Sequence, residues 1–312
     1  MRTSSRGPSD SPPVVFVGAA VWDAIALVRH YPEPDERIVA DDVRHAGGGP
    51  AATAAVAAVR LGVPAAFIGA VGDDDDGARI VAALQAEHVD VRGVSVVAGS
   101  RSAASVAVAD GRRGTRAICT RPGPGLRLTG TALALLRSAR WVHVDHAGWA
   151  PVHGALRTLT ASRRPWLSVD AGNPIDGLVL ADVELFAPSA AMLASRYGTK
   201  GSGIGTLLDA VLAEGARQVV ATLGAAGCAA ATSDGERCTV PGHPADVVST
   251  LGAGDVFHGA LLAAAERGLR FRERLRYANA AAALSCRALD GRSAIPAHDE
   301  VIAAIGMARA DG

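Results

Sequence analysis

Short apolar runs alternate along the chain with longer stretches of helical period. The runs end at glycine or aspartate, which is typical of buried strands in a parallel sheet. Strands are predicted at residues 14–18, 66–72, 141–146, 167–170, 183–186 and 218–224. Helices are predicted at residues 51–61, 79–87 and 272–286, and after a glycine turn at residue 252. This repeated order predicts an α/β fold, a doubly wound, mainly parallel sheet with helices on both faces.

Two segments depart from this order. Near residues 25–45 the pattern alternates only loosely and contains Pro32 and Pro34. Near residues 94–120 the alternation is regular and turns at Asp110-Gly111, which indicates a hairpin. We expect both segments to form a small β-sheet lid. Residues 1–13 are expected to be a disordered tail, and residues 14–312 a single domain.

Composition limits the classes of function. Of the 312 residues 49% are hydrophobic, enough for a sizeable core, and the formal net charge is zero, which argues against a nucleic-acid partner. No apolar run reaches the length of a membrane span, so no membrane partner is expected. The four cysteines lie far apart without a CxxC pair, which favours reduced thiols and a cytoplasmic location.

The clearest chemistry lies where Gly252-Ala253-Gly254 precedes Asp255 and a helical pattern. An apolar pair, Val247-Val248, suggests an extended segment before this turn. Almost no side chain covers such a turn, so the first N–H groups of the helix can bind an anion. A carboxylate beside an anion site suits phosphoryl transfer, with Asp255 taking the proton of the attacking hydroxyl. The alternative is that Asp255 only caps the helix.

Two further features suggest a ligand. Gly47-Gly48-Gly49-Pro50 opens a helix and lets a ligand approach the backbone closely. Asp23 follows the first strand, where ligands gather in α/β sheets. The alternatives are a plain tight turn for the glycines and a solvated turn residue for Asp23.

Two stretches suggest metal ligands, but each has a better explanation. Asp73–Asp76 opens a helical pattern, and acids favour the first turn of a helix. On a strand, His143 and Asp145 share one face while His146 lies on the other, so we interpret this stretch as a strand that ends at a pocket. We therefore predict no metal-binding residues.

Arginines cluster around the predicted hairpin. We expect most of them to be solvated and one or two to face an anionic substrate. They are Arg101, Arg112, Arg113, Arg116 and Arg121.

Five motifs occur in an order and spacing that resembles the ribokinase/PfkB family of carbohydrate kinases, over about residues 14–297. They are Gly47-Gly48-Gly49-Pro50, Ile68-Gly69-Ala70-Val71-Gly72-Asp73-Asp74, Thr222-Leu223-Gly224, Gly252-Ala253-Gly254-Asp255 and Ala278-Asn279-Ala280-Ala281. Within the family, Gly47–Gly62 and Gly252–Leu261 are most similar to the 6-deoxy-6-sulfofructose kinase subgroup.

The resemblance implies a ribokinase-like fold with a lid that is often the dimer contact, and a γ-phosphoryl transfer from ATP·Mg²⁺ to a sugar hydroxyl. It makes Asp255 the catalytic base, with an anion hole formed by Gly252, Ala253 and Gly254. The nucleotide side would be formed by Thr222, Gly224, Gly227, Asn279 and Ser189. The sugar side would be formed by Asp23, Gly47, Gly48, Gly49 and Arg37.

Three departures from the family pattern change these expectations. Ser249 replaces an aspartate that helps to hold a monovalent cation, which puts activation by potassium in doubt. Ser189 and Met192 stand where the family has Asn-x-x-Glu, so magnesium would be held mainly by the nucleotide phosphates and water, or turnover would be slow. Ala52 replaces an asparagine that contacts the sugar in ribokinases, which argues against ribose.

We therefore expect an ATP-dependent kinase of a sugar or sugar derivative, ketose-like, such as sulfofructose or another anionic sugar. A nucleoside kinase of the same family is one alternative, although few aromatic residues in the lid segments disfavour base stacking. The other alternative is a catalytically weak sugar-binding or sensor protein.

Overall fold

The computed structural model describes residues 12–160, 164–198 and 201–306. The strands of these residues are β1 (Val14–Val17), β2 (Val21–Val28), β3 (Asp42–Gly48), β4 (Ala65–Ile68), β5 (Ala70–Gly72), β6 (Ser95–Val97), β7 (Ala104–Asp110), β8 (Thr115–Arg121), β9 (Trp141–Val144), β10 (Trp166–Ala171), β11 (Leu185–Pro188), β12 (Gln218–Thr222), β13 (Cys228–Thr232) and β14 (Arg237–Val240). The helices are α1 (Pro50–Arg60), α2 (Asp75–Ala86), α3 (Gly130–Ser138), α4 (Trp149–Arg157), α5 (Ala190–Tyr197), α6 (Ile204–Ala213), α7 (Ala253–Glu266), α8 (Phe271–Ser285) and α9 (His298–Ile305).

The main sheet has eight strands in the order β14-β13-β12-β11-β10-β9-β1-β4. All neighbours pair in parallel except β12 with β13 and β13 with β14, which form antiparallel pairs. The predicted doubly wound, mainly parallel sheet is therefore confirmed. Buried strands without charged residues, such as Val14–Val17, can lie in the middle of such a sheet because helices cover both faces.

Alternate residues of the main-sheet strands belong to two separate hydrophobic clusters, one on each face of the sheet. Val14 and Phe16 pack with α1, α2, α7, α8 and α9, whereas Val15 and Val17 pack with α3, α4, α5 and α6. The packing of α7 on α1 is close, because a Cβ at Gly259 would collide with the carbonyl oxygen of Ala54. This contact brings the starts of the two helices together.

The lid is a four-stranded sheet in the order β3-β2-β7-β8. Its first segment runs from Val21 to Gly48, wider than the expected 25–45, and its hairpin β7–β8 turns after Asp110 as predicted. The short strand β6, within the expected second segment, pairs with β5 outside the lid.

The expected disordered tail falls largely outside the described residues. Residues 1–11 lie outside them, whereas the carbonyl of Pro13 accepts the N–H groups of Arg140 and Trp141. The expected extended segment before residue 252 forms no strand, and Val247 and Val248 are exposed. The N–H groups of Val248 and Ser249 instead donate to the carbonyl of Cys286.

Candidate active site

The candidate site lies at the carboxyl edge of the main sheet, where β1 is flanked by β4 and β9. The helix that follows β1 and the lid strands, α1, lies on one face of the sheet. The helix that follows β9, α4, lies on the other face. Open α/β sheets bind ligands at such a switch point. The first helical turns of α1 and α7 also lie here, next to the Asp145 carboxylate.

The turn before α7 requires its first glycine. Gly252 caps the helix with a φ of 74°, and a Cβ there would lie 2.8 Å from the Cα of Gly291. A Cβ at Gly254 would meet no atom within 4 Å, so the space beside the first turn is open. The N–H groups of Gly254 and Asp255 donate to no carbonyl of a described residue. The turn thus presents unpaired N–H groups in an uncovered space.

Asp255 is the third residue of α7, and Gly252 is the cap, so the capping alternative for Asp255 is wrong. Burial raises the pKa of Asp255 to about 7, and the charges of Asp170 and Asp145 act in the same direction, opposed by His258 and Arg116. No donor of the described residues forms a hydrogen bond with this carboxylate. A carboxyl group in this state can accept a proton near neutral pH.

Asp145, just after β9, is buried and joins three elements. Its carboxylate accepts the N–H groups of Ala19 at 2.8 Å, Ala51 at 3.2 Å, Ala147 at 2.8 Å and Gly148 at 3.1 Å. These bonds tie the ends of β1 and β9 to the start of α1. Both oxygens are occupied, so Asp145 shapes the site rather than offering free ligand atoms.

Three buried residues, one each on α7, β9 and β10, come nearest to a metal-ligand set in the described part of the chain. One ligand atom from each of His143, Asp170 and His258 lies within 4.8 Å of the others. Their contacts are those of a hydrogen-bonded network, since His258 Nε2 lies 3.2 Å from Asp170 Oδ1 and His143 Nδ1 lies 3.0 Å from Ser168 Oγ. We therefore interpret His258 and Asp170 as an ion pair and His143 as a neighbouring neutral imidazole.

Asp23 and the first two glycines of the helix-opening motif meet on the lid side. Asp23 lies within β2 and is buried, so the solvated-turn alternative is wrong. The Ser105 hydroxyl donates to one of its oxygens, and a Cβ at Gly48 would collide with the other. Burial raises the pKa of Asp23, whereas Ser105 and the charge of Arg292 oppose that rise.

The remaining sugar-side residues differ from each other in placement. Gly47 and Gly48 end β3, and Gly49 caps α1 with a φ of 93°, so this stretch is a strand end and a helix cap rather than a plain turn. Arg37 is exposed in the connection between β2 and β3 and contacts no described residue through a hydrogen bond or ion pair.

Arg292 is a buried guanidinium between the sugar-side glycines and Asp255. Its Nη2 donates to the carbonyl of Gly48 at 2.9 Å and its Nε to Thr53 Oγ1 at 3.2 Å, while Nη1 lies beside Gly47. No carboxylate of the described residues lies within 4.0 Å of it. Burial lowers the pKa of Arg292 to about 10, so it keeps its charge at neutral pH.

The residues expected on the nucleotide side gather at the ends of β11 and β12. Ser189 and Thr222 form an isolated parallel bridge, and the Ser189 hydroxyl accepts the N–H of Met192 at the start of α5. Gly224 has a φ of 60° with open space at its Cβ position, whereas Gly227 packs tightly against Val240.

Asn279, the last expected nucleotide-side residue, is buried. Its side-chain amide donates to the carbonyls of Val240 at 3.3 Å and Pro241 at 3.1 Å. Asn279 therefore holds the backbone after β14 in place.

One arginine of the lid hairpin reaches the turn before α7. Arg116 Nη1 donates to Thr250 Oγ1 at 2.9 Å, whereas Arg121 binds the carbonyl of Ser102 and Arg113 pairs with Asp110. In the acidic stretch 73–76, Asp74 caps α2 by accepting the N–H of Gly77, so these residues open a helix as predicted, although it begins at Asp75 and not at residue 79.

Comparison with known proteins decides the family. A sequence model described as pfkB family carbohydrate kinase matches residues 12–298. The chain belongs to the pfkB family of carbohydrate kinases. The resemblance predicted from the five motifs is therefore confirmed, and the similarity to the sulfofructose kinase subgroup stays a prediction.

Two curated relatives and one solved structure show how this kinase compares. An ATP-dependent ribose-1-phosphate kinase of Halopiger xanaduensis is 31% identical over 300 residues, 93% of this chain and 97% of the relative. An aminoimidazole riboside kinase of Salmonella typhimurium is 30% identical over 277 residues, 81% of this chain and 86% of the relative. The structure of Arabidopsis thaliana ribokinase complexed with ribose and ATP matches with a TM-score of 0.83 and 24% identity, covering 96% of this chain and 100% of that chain.

This pfkB-family kinase is thus a phosphotransferase of the sugar and nucleoside kinase class, with a ribokinase fold. Among the described residues, none of the helices combines the length and the hydrophobicity that a membrane span requires. A cavity of about 950 Å³ opens at the opposite, amino-terminal edge of the sheet, beside Trp166, Glu184 and Arg217. This cavity lies far from Asp255. The candidate active site is at the carboxyl edge, where the kinase motifs meet.

Sequence reasoning missed four residues of the candidate site. Asp145 was considered only as a metal ligand, and Arg292 stood in a segment without periodicity or motif. Asp170 ends a predicted strand without further signal. His258 could have been found, because it follows Asp255 by three residues on a predicted helix and so shares its face.

Proposed function

We propose that this kinase transfers the γ-phosphoryl group of ATP to a hydroxyl of a sugar that carries an anionic group, a phosphate or a sulfonate. The observation that supports this most strongly is Arg292. A buried guanidinium without an ion pair is costly, and its Nη1, which donates to no described residue, can bind an oxygen of such a group. Arg292 lies where the sugar-side residues Asp23, Gly47 and Gly48 meet.

The chemical step follows from the surroundings of Asp255. In this proposal Asp23 accepts hydrogen bonds from sugar hydroxyls, and the absence of side chains at Gly47, Gly48 and Gly49 lets the sugar lie against the backbone. Asp255 takes the proton of the attacking hydroxyl. Its raised pKa suits this task, because the proton acceptor should titrate near the working pH.

The residues at the start of α7 fit a triphosphate. The open space beside Gly254 and the unpaired N–H groups of the first turn form a cradle for the charge that develops on the transferred group, which is the proposed role of Gly252, Ala253 and Gly254. Thr222, Gly224 and Gly227 would line the rest of the nucleotide cleft. Ser189 and Asn279 would hold its walls, since their polar groups bind the backbone.

Magnesium fits this site through the nucleotide rather than through a protein cage. Mg²⁺, when bound, neutralises charge on the β- and γ-phosphates. Both oxygens of Asp145 accept N–H groups, and Oδ1 of Asp170 is taken by Gly172 and His258, which leaves Asp255 as the carboxylate without a hydrogen bond in this group. We therefore propose that nucleotide phosphates and water supply most of the Mg²⁺ ligands. The Ser249 hydroxyl accepts the N–H of Leu251, which agrees with the doubt about a monovalent cation.

The relatives support this proposal in part. The Halopiger xanaduensis relative is a kinase of a phosphorylated sugar, ribose 1-phosphate, which fits a buried arginine. The Salmonella typhimurium relative is a kinase of a riboside, so a nucleoside remains the second candidate. Dependence on ATP is consistent with a cytoplasmic location.

The experiment is a substrate panel with two arginine variants. ADP release is measured with ribose 1-phosphate, 6-deoxy-6-sulfofructose, ribose, fructose, adenosine and aminoimidazole riboside. We expect an anionic sugar to have the highest kcat/KM, and Arg292→Gln to lower that value by about 100-fold or more while changing the value for neutral sugars less than about tenfold.

The matched control is Arg137→Gln, in the last turn of α3, which should leave every kcat/KM unchanged. A neutral sugar or a nucleoside with the highest kcat/KM, or equal losses for neutral and anionic sugars in Arg292→Gln, would contradict the proposal. Absence of ADP release with all six compounds would favour the sensor alternative.

We also propose that two copies associate through the lid. The face of the lid that points away from Asp255 carries Val43 and Val106, 60% and 55% exposed, together with alanines of β2 and β8. Exposed valines that share one sheet face are typical of an interface. A second copy of this chain presents the same apolar face.

A further inference from the structure

A buried ion pair joins the second turn of α7 to the end of β10. His258 Nε2 is 3.2 Å from Asp170 Oδ1, and both side chains are almost completely buried. Asp170 also accepts the N–H of Gly172 at 2.7 Å, at the end of β10. His258 follows Asp255 by three residues, so the two side chains leave the helix on the same face.

Stability does not explain this pair. A buried ion pair seldom stabilises a fold more than apolar residues of the same size, because both charges lose their hydration. The residues that flank His258 on α7, Phe257 and Gly259, are buried in a hydrophobic cluster or packed against α1. An apolar residue at position 258 would continue that packing. The pair is therefore better explained by what it does to its neighbour, Asp255.

Charged groups from five elements surround Asp255. Two are carboxylates, from the ends of β9 and β10, and three are cationic groups, from α7, β8 and the loop after α8. They are Asp145, Asp170, His258, Arg116 and Arg292. Asp170 would be an unbalanced negative charge next to Asp255 if His258 did not neutralise it.

We propose that His258 is a positioning residue for the phosphoryl-transfer step: held in its protonated form by Asp170, it is a fixed positive charge that keeps the Asp255 carboxylate ionised and ready to accept the proton of the sugar hydroxyl. This inference rests on the proposed function, because it assumes that Asp255 is the base. The proton moves from the hydroxyl to Asp255, and His258 keeps its own proton throughout.

The electrostatics of the three groups agree with this geometry. Burial lowers the pKa of His258, but the charge and hydrogen bond of Asp170 outweigh it and the pKa is raised. Burial raises the pKa of Asp170, but His258 outweighs it and brings the pKa to about 2. His258 is also the strongest of the influences that hold the pKa of Asp255 down.

The same cluster supplies a matched control. His143 is buried, contacts Ser168, and stacks at a tilt on His258 with ring centroids 5.2 Å apart. Burial and the charge of His258 lower the pKa of His143 to about 3, so it is neutral and places no charge near Asp255. Substitution of His143 therefore disturbs the same packing without removing a charge.

The first experiment compares His258→Gln with His143→Gln in the pH dependence of kcat/KM, using the sugar that the wild type phosphorylates. In His258→Gln the acidic limb should move to higher pH by about one unit or more, because Asp255 then protonates more easily. In His143→Gln the limb should stay where it is. An unmoved limb in His258→Gln, whatever its rate, would overturn the proposal.

A second measurement needs neither a variant nor turnover. In wild-type protein labelled with ¹⁵N-histidine, the proposal requires one buried imidazolium whose two ring N–H signals persist above pH 6.5, the ordinary pKa of histidine. A fully neutral set of buried imidazoles at pH 7 would overturn it, even if the kinase assay found no substrate.

Metal analysis of the wild type, His258→Gln and His143→Gln is a third test. One equivalent of bound metal in the wild type that is lost in both variants would also overturn the proposal, because the cluster would then be a metal centre.

Discussion

Asp255 is held in a state that a carboxylate avoids in water. Its folded-state pKa of about 7 lies above the ordinary value of 3.8, chiefly because of burial. The folded protein therefore binds an extra proton between these two values, and Asp255 makes the fold less stable as the pH rises through that window. Active sites commonly lower stability in this way.

Asp255→Asn should therefore stabilise the protein at neutral pH. The gain should be absent below about pH 4, grow between about pH 4 and 7, and stay constant above, reaching on the order of 2–4 kcal/mol. Thermal unfolding of the wild type and the variant at several pH values measures it. Asp75→Asn, at a position with a 93% exposed side chain, is the control and should show no such growth. A pH-independent difference for Asp255→Asn would contradict the account.

The residue scale also shows what sequence could predict. Asp255 follows a local glycine motif, so its position next to an anion site could be inferred from a few neighbours. Arg292 could not be inferred, because its partner Gly48 lies 244 residues away along the chain. Asp145 has the same difficulty, since it binds N–H groups of Ala19 and Ala51 that only the sheet brings near.

At the scale of elements, the glycine turn and α7 act as one unit. The left-handed conformation of Gly252 and its contact with Gly291 direct the start of the helix at the cleft, and the open space beside Gly254 leaves the cleft uncovered. The motif predicted this turn and this helix. It did not predict that Val247 and Val248 would be exposed, because the backbone here is held by hydrogen bonds from Val248 and Ser249 to the distant carbonyl of Cys286.

The two glycines should respond differently to alanine. Gly252→Ala should cost about 1–3 kcal/mol of unfolding free energy, because φ is positive and the Cβ would meet Gly291. Gly254→Ala should leave stability unchanged or raise it by up to about 1 kcal/mol, because the position is helical and open.

Activity separates these two variants further. The methyl group of Gly254→Ala would enter the space of the transferred phosphoryl group, so kcat should fall by about tenfold or more in a stable protein. Denaturant unfolding and ADP release measured on the same samples test both statements. Gly254→Ala with wild-type kcat would contradict the position of the anion hole.

At the scale of the whole molecule, a large sheet forms the site and a small sheet covers it. The alternation of strands and helices predicted the large sheet and its two covered faces. The lid was predicted from the segments that break this alternation, but its bounds were not, because β2 and β3 pair across a 13-residue connection that carries no regular pattern.

The proposed dimer belongs to this scale. Val106→Lys should lower the mass observed by light scattering from dimer to monomer, because a buried lysine without a partner opposes association. Val96→Lys is the control, since Val96 is 63% exposed on β6, outside the lid. A monomeric wild type, or a Val106→Lys variant that stays dimeric, would contradict association through the lid.

The central claim is that the carboxylate of Asp255 accepts the proton during phosphoryl transfer. The most direct measurement is kcat for ADP release by Asp255→Asn and by the wild type, with saturating ATP·Mg²⁺ and the sugar that the wild type prefers. The account predicts a loss of about 1,000-fold or more in a variant that is folded and no less stable than the wild type. A kcat within about tenfold of the wild-type value would contradict it.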